Sequence, residues 1–344
     1  MPSNDSPASG PVTMDHVAQR AGVSLMTVSR ALRAPATVAE ATRERIQAAI
    51  SELNYVGSAF AGQLATGRTR LIAVVLPDLR NTAFALEMQG LTEGLGSEYQ
   101  LVVAGAPGAG DSDEQVFRSL LAYRPAALVI HGAGRSPGTR DYLARCGVPV
   151  VELGSLDSKP INIAVGYANR AAGKAAAEHL LATGRRVLGF VSPSKERNAR
   201  AHDRWLGFRD ALKAAGVAFR PELELETVLG YERGAEALVQ LLQIEPKLQG
   251  VFFTGDGWAI GALLHCQRQG IAVPRQLGIM GFDDQELAGL MVPSLSSIQV
   301  PRYEMGKEAG TQLRLQLAGE TRVRKRVDLG FKLVVRGSTA PARS

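Results

Sequence analysis

Residues 13–53 read TMDHVAQRAGVSLMTVSRALRAPATVAEATRERIQAAISEL, and this stretch decides how the chain begins. Thr13 is a good N-cap for MDHVAQRAG, in which Val17, Ala18 and Ala21 share one apolar face. Gly22 supplies a left-handed residue for a tight turn. Ser24 can then cap a second helix, LMTVSRALR. Its Val28, Ala31 and Leu32 point inward, leaving Leu25, Met26, Thr27, Ser29 and Arg30 on the outer surface. A third helix runs from about Thr42 through Leu53, with Ile46, Ala49, Ile50 and Leu53 on its apolar face. Helix, tight turn, helix and a third packing helix is the helix-turn-helix plan, whose second helix enters the DNA major groove.

Working outward, residues 1–11 are rich in Ser, Pro and Gly and read as a disordered lead. The helical headpiece occupies 12–57, and the small, Gly-bearing segment 58–69 reads as a linker. From Leu71 onward apolar runs alternate with amphipathic helices. The strand-like runs include LIAVVLP (71–77), QLVVAG (100–105), AALVIHG (126–132), VPVVEL (148–153), VLGFVS (187–192), VFFTG (251–255) and LGIMGF (277–282). Helical stretches fall near 84–97, 113–124, 169–183, 201–215, 232–243, 258–269 and 303–318. Such alternation predicts an α/β fold with parallel sheets covered on both faces. About eleven strands are too many for one compact domain, so two open sheets with a cleft between them are expected.

The chain has 344 residues, 45% hydrophobic and 21% charged, an ordinary globular composition that excludes disorder throughout. No apolar run approaches the ~18 residues of a membrane helix, and the opening MPSNDSPASGPV lacks the features of a signal peptide. The two cysteines, Cys146 and Cys266, fit neither a disulfide framework nor a zinc site. A cytoplasmic, nucleoid-associated protein with free thiols is expected. The net charge of +6 is compatible with a nucleic-acid partner. Residues 1–70 hold seven arginines against five acids, a bias of only +2, so geometry rather than bulk charge carries the DNA reading.

The stretch VTMDHVAQRAGVSLMTVSRALRAPATVAEATRERIQAAISELNYVGSAFAGQLATG resembles the DNA-binding headpiece of the lactose-repressor (LacI/GalR) family, and the likeness continues to about residue 335. The later motifs include P-D-L-x-N at 77–81, G-V-P-V-V at 147–151, W-L-G-F at 205–208 and G-F-D-D at 281–284. The resemblance implies a periplasmic-binding-protein-like pair of Rossmann-like subdomains, one of about 70–166 and 299–327, the other of about 167–298 and 328–340. It implies that Leu25 and Met26 read base edges, by shape and thymine methyls, while the Arg30 fork contacts guanine. Thr13, Ser24, Thr27 and Ser29 would position phosphates. The segment AFAGQLA (59–65), with Ala61 and Leu64, matches a hinge helix whose leucine wedges into the minor groove. A homodimer on a palindromic operator follows, and not a tetramer, because the ending VVRGSTAPARS carries no leucine heptad.

In sheets of this kind, ligands bind where parallel strands end. Ala83, Phe84, Arg197 or Asn198, Arg204, Asp256 and Asp283 fall at such ends. By resemblance Arg204 grips the ligand, Asp283 accepts from its hydroxyls and Phe84 is a ring wall. Two departures, Gly255 and Ala168, replace the usual asparagine and aspartate and argue against a standard neutral-sugar pocket. VVELGSLDSKPINIAVGYAN and GVFFTGDGWAIGALLHCQRQG resemble the gluconate-repressor branch, and the cation-rich SKERNARAHDR suits an anionic ligand. A sugar acid of the gluconate or 2-ketogluconate class is the expected effector, acting as inducer, with a neutral sugar or a corepressor as the alternative. The rival class, a sugar-modifying enzyme fused to a DNA-binding domain, finds no support. There is no G-x-G-x-x-G after the first strand, no G-x-S-x-G and no metal spacing among the five histidines. No cofactor, metal or membrane partner is expected.

Overall fold

The computed structural model describes residues 12–56, 69–105, 111–132 and 137–340. The lead 1–11, most of the linker (with Ala61, Gly62 and Leu64) and the last four residues lie outside them. The chain forms two compact units, Met1–Thr69 and Arg70–Ser344.

In the first unit α1 (Met14–Ala21), α2 (Leu25–Arg33) and α3 (Glu40–Glu52) pack around Val17, Ala18, Ala21, Val28, Ala31, Ile46 and Ala49. The Gly22 turn has φ +65°, and its N–H returns to Ala18 O and Gln19 O, closing α1 with a left-handed cap. Ser24 Oγ accepts from Thr27 N at 3.2 Å and opens α2. Leu32 corrects the expected inward stripe. It is 45% exposed, because on so short a helix the buried face ends at Ala31.

The second unit contains two six-stranded sheets. The first is built from β1 (Leu71–Leu76), β2 (Gln100–Gly105), β3 (Ala127–His131), β4 (Val150–Leu153), β5 (Ile163–Gly166) and β11 (Arg326–Asp328), in the order β11-β5-β4-β3-β1-β2, all parallel. The second is built from β6 (Leu188–Ser192), β7 (Glu224–Glu226), β8 (Gly250–Phe253), β9 (Gly278–Asp283), β10 (Ser296–Gln299) and β12 (Lys332–Val334), in the order β12-β10-β9-β8-β6-β7. Only β12 runs antiparallel to its neighbour. Central strands such as β3, β6 and β8 are buried along their whole length, as helices on both faces require. The chain leaves the first sheet after β5, returns to it at β11 and ends in the second with β12.

The covering helices approach one another at glycines. Between α4 (Ala83–Leu95) and α12 (Arg302–Leu317), a Cβ on Gly90 would lie 2.0 Å from Tyr303 O. Between α7 (Asn169–Ala182) and α8 (Ala199–Ala214), a Cβ on Gly207 would lie 1.8 Å from Arg170 O. Gly261 makes the same approach to Tyr231 O where α9 (Tyr231–Ile244) meets α10 (Asp256–Gln269). The remaining helices are α5 (Asp111–Ala122), α6 (Pro137–Ala144) and α11 (Glu286–Leu290). No helix among the described residues is long and apolar enough to cross a membrane.

Candidate functional site

Two surfaces carry the chemistry. On α2, Leu25 and Met26 are exposed, Met26 by 70%, so apolar side chains occupy the outer face of the second helix. Arg30 is exposed on the same helix, and no hydrogen bond or ion pair engages its side chain among the described residues. Its guanidinium fork is therefore available for an external acceptor. Thr27 and Ser29 are half-buried, and the Ser24 and Thr27 hydroxyls lie 2.8 Å apart. At the start of α1 the Thr13 backbone N–H donates to His16 Nδ1 at 3.1 Å.

In the second unit a cleft of about 1080 Å³ opens where β1 and β3 of one sheet, and β6, β8 and β9 of the other, reach their carboxyl ends. Phe84, Arg197, Asn198, Arg204, Asp256 and Asp283 all line it. Ala83 does not. Its N–H donates to Asn81 Oδ1 at 3.0 Å, and the flanking Asn81, Thr82 and Phe84 form the wall instead. The adjacent aspartates divide cleanly. Asp283 enters the cleft, whereas Asp284 turns to Arg336 and Gln299, 2.6 and 3.0 Å away. Both have positive φ, +105° and +53°, a backbone cost of about 1–3 kcal/mol each that holds β9's end in a sharp turn.

The floor of the cleft is a buried charge network. Arg302, at the start of α12, donates to Asp283 from one nitrogen and from the other to Glu87 (3.1 Å), with His131 Nε2 2.8 Å from that second nitrogen. It therefore ties β9 of one sheet to α4 and β3 beside the other. The same Nε2 also lies 3.1 Å from Glu87 Oε2, so its role as acceptor from Arg302 or donor to Glu87 follows the ring tautomer. Burial holds His131 well below the ordinary histidine range, and the nearby Arg200 and Arg302 push it the same way. Burial raises Glu87 to about 6 against the pull of Arg302. Glu87 Oε1, His131 Nδ1 and Arg302 Nε have no partner among the described residues. His131, which the sequence places beside a Gly-containing loop, is thus a buried neutral member of this network and its ring packs edge-on to Phe84.

Asp256 is fully buried, and both of its oxygens are occupied. Oδ2 accepts from Gln285 N (2.7 Å) and Oδ1 from the Ser297 hydroxyl (2.8 Å). Burial and the neighbouring Asp283 raise it to about 8, so it is mostly protonated at neutral pH. Gln285 also reaches across the cleft mouth to Asn81 (3.3 Å) and Thr82 (3.4 Å).

Arg204 is buried with three bonds made, to Asn169 Oδ1 (2.9 Å), Thr254 O (3.0 Å) and Tyr167 OH (3.2 Å), and its plane lies 3.5 Å from the Phe282 ring centre. The departure at Gly255 has a steric reason. A Cβ there would meet the Trp258 ring at 3.0 Å, and Trp258 is itself a cleft wall pinned by its Nε1–H to Val228 O. Residue-by-residue reading missed Arg200, Arg302, Gln285 and Trp258, all of which line the cleft. Only the density of cations in SKERNARAHDR pointed toward Arg200. Among the described residues no cluster of His, Cys, Asp or Glu is placed to hold a metal ion.

Residues 13–58 match the family described as bacterial regulatory proteins, lacI family, and residues 177–339 match the periplasmic binding protein-like domain. The HTH-type transcriptional regulator GntR of Pseudomonas aeruginosa is 38% identical over 333 residues, 96% of each chain. A LacI-family transcriptional regulator from Silicibacter pomeroyi superposes with a TM-score of 0.87 at 34% identity, over 96% of this chain and 99% of that one. The lac repressor dimer bound to operator and the anti-inducer ONPF superposes with a TM-score of 0.80 at 26% identity, over 96% and 100% of the two chains. A helix-turn-helix headpiece followed by a two-sheet ligand cleft, with relatives of this kind along nearly the whole chain, makes the protein a DNA-binding transcriptional repressor of the LacI family.

Proposed function

We propose that the protein is a cytoplasmic homodimer that represses from a palindromic operator and is released by an open-chain sugar acid of the gluconate or 2-ketogluconate class. The observation that carries the ligand class is the charge left over in the cleft. Arg80 is held by Asp78 through two hydrogen bonds, 3.0 and 2.8 Å. Arg302 pairs with both Asp283 and Glu87, which leaves one of their two negative charges over. Asp256 is raised to about 8 and contributes little negative charge at pH 7. Arg200 and Arg204 of α8, both buried, make no ion pair among the described residues, and with Arg197 at the rim they set three positive charges against that single remaining negative one, so the cleft keeps a net positive charge. Uncompensated buried charge is costly, and an anionic ligand relieves it.

In this reading the carboxylate lies against α8, and Asp283, an acceptor with a free oxygen beyond its pair with Arg302, takes a hydroxyl of the tail. Phe84, Asn198 and Arg197 complete the wall. At the DNA, Leu25, Met26 and Arg30 read bases, Thr13, Ser24, Thr27 and Ser29 set phosphates, and Ala61 and Leu64 form the minor-groove hinge. The lac repressor relative, solved as a dimer on its operator, supports the two-chain arrangement. So do Val102 and Val103, 39% and 43% exposed on the edge strand β2. Calorimetry of gluconate against glucose and glucitol tests the ligand class. Gluconate should bind at least tenfold more tightly than either, and equal affinities would make the effector a neutral sugar.

A further inference from the structure

Among the described residues five arginines line the cleft, and they differ in what they already hold. Arg80 is clamped on Asp78, Arg302 on Asp283 and Glu87, and Arg204 on Asn169, Thr254 and Tyr167. Arg197 is exposed to solvent at the rim. Arg200 is different. Only 7% of it is exposed, and no hydrogen bond or ion pair reaches it among the described residues. Burial lowers its pKa to about 9, reinforced by repulsion from Arg204 and Arg302 and opposed by Tyr167 and Glu87. Its position is nonetheless fixed. It springs from the first turn of α8, and a Cβ on Gly132 would lie 3.0 Å from its Nε and 3.6 Å from its Cδ and Cζ. Gly132, at φ +91°, follows β3 of the opposite sheet, so the guanidinium of one subdomain lies along the backbone of the other.

Resting on the sugar-acid reading, we infer that Arg200, rather than Arg204, is the residue that pairs with the effector carboxylate, and that Arg204 is a positioning residue that holds Asn169, Tyr167 and the Thr254 carbonyl in place. A planar fork with all five N–H groups unspent matches a carboxylate through two parallel hydrogen bonds. An anion seated there touches both sides of the cleft at once, so it favours the arrangement in which α8 and the end of β3 are close.

The two arginines carry opposite expectations for the ligand-free protein. Removing a buried cation without a partner relieves a desolvation cost, whereas removing one with three acceptors leaves those acceptors stranded. Arg200→Met should therefore raise the melting temperature of the ligand-free protein and weaken gluconate binding by at least 100-fold, with Arg200→Lys recovering part of the loss. Arg204→Met should lower the melting temperature. Calorimetry and thermal melts of the full-length parent and the three variants, with gluconate, glucitol and glucose 6-phosphate as probes, decide the matter. If Arg200→Met binds gluconate as the parent does, the assignment to Arg200 is overturned while the sugar-acid reading stands. If Arg200→Met melts lower than the parent, Arg200 is a structural cation and the inference fails even if binding is lost. If the parent binds glucitol as tightly as gluconate, or binds glucose 6-phosphate and not gluconate, the carboxylate reading and this inference fall together.

Discussion

Asp256 shows how far a residue's place in sequence can stand from its role. Its position after a strand marks it as a ligand contact, yet both of its oxygens are spent on Gln285 N–H and Ser297 Oγ–H, and Gly281 is a glycine because a Cβ would lie 2.1 Å from Asp256 Oδ1. Nothing in the sequence announces this, since the partners are 29 and 41 residues away. The protonation consequence is testable. The folded pKa, about 8, lies above the ordinary 3.8, so the stability tied to the protonated form is complete below pH 4 and is lost as pH rises toward 8. Asp256→Asn mimics the neutral acid. Thermal melts between pH 4 and 8 should show the variant gaining on the parent steadily with pH, against a smaller fall from Glu87 between 4.5 and about 6 that both proteins share. A constant difference across that range would mean that Asp256 is ionised throughout. The Arg204 and Asp283 positions, by contrast, were legible from the motifs around them, but not the bonds that already occupy Arg204.

At the scale of elements, seven of the twelve strands in the described residues announce themselves as apolar runs, six of them because a strand covered on both faces must be apolar throughout, while β2 is apolar although it is a largely exposed edge strand. Of the five that do not, β7, β11 and β12 are only three residues long and carry charged side chains, and the four-residue β10 (SSIQ) is mostly polar, so no apolar run marks them; β5 (IAVG) is short and follows the polar stretch DSKPIN. Three of them, β7, β11 and β12, stand at sheet edges, where polar residues are tolerated. Ten of the twelve α-helices among the described residues were readable too, the short α6 and α11 not, while helix-pair geometry was not, since a glycine inside a helical pattern reads only as a weakness of the helix. The structure gives it another meaning. With its Cβ position 1.8 Å from Arg170 O, Gly207 sets the approach of α8 to α7, and backbone cannot step aside as a side chain can. Gly207→Ala should cost at least the ~1–3 kcal/mol usual for overpacking, read as a lower urea midpoint, although alanine is the better helix former. A midpoint equal to the parent's would show that the two helices can separate without loss. The same crossing carries Arg200 and Arg204 on α8, so the variant should also loosen gluconate binding.

Across the whole molecule, the cleft joins two sheets that the chain visits alternately, and its floor and mouth are both bridged. Arg302 links Asp283 to Glu87 and His131, and Gln285 links Asp256 to Asn81 and Thr82. A ligand that changes these bridges changes the relation of the two sheets, and the coupling it needs to move an operator equilibrium is of the order of 1–3 kcal/mol. The two-sheet plan and the headpiece were readable from pattern and motif, whereas the bridges were not, because their partners lie up to 215 residues apart. In the function proposed above, an anionic sugar in this cleft releases the protein from DNA. Fluorescence anisotropy of a labelled palindromic duplex, selected by the protein itself and titrated with gluconate or glucitol at fixed ionic strength, tests it most directly. Gluconate should weaken the complex by about 5- to 150-fold while glucitol leaves it unchanged. Tightening by gluconate, or release by glucitol to the same extent, would contradict it.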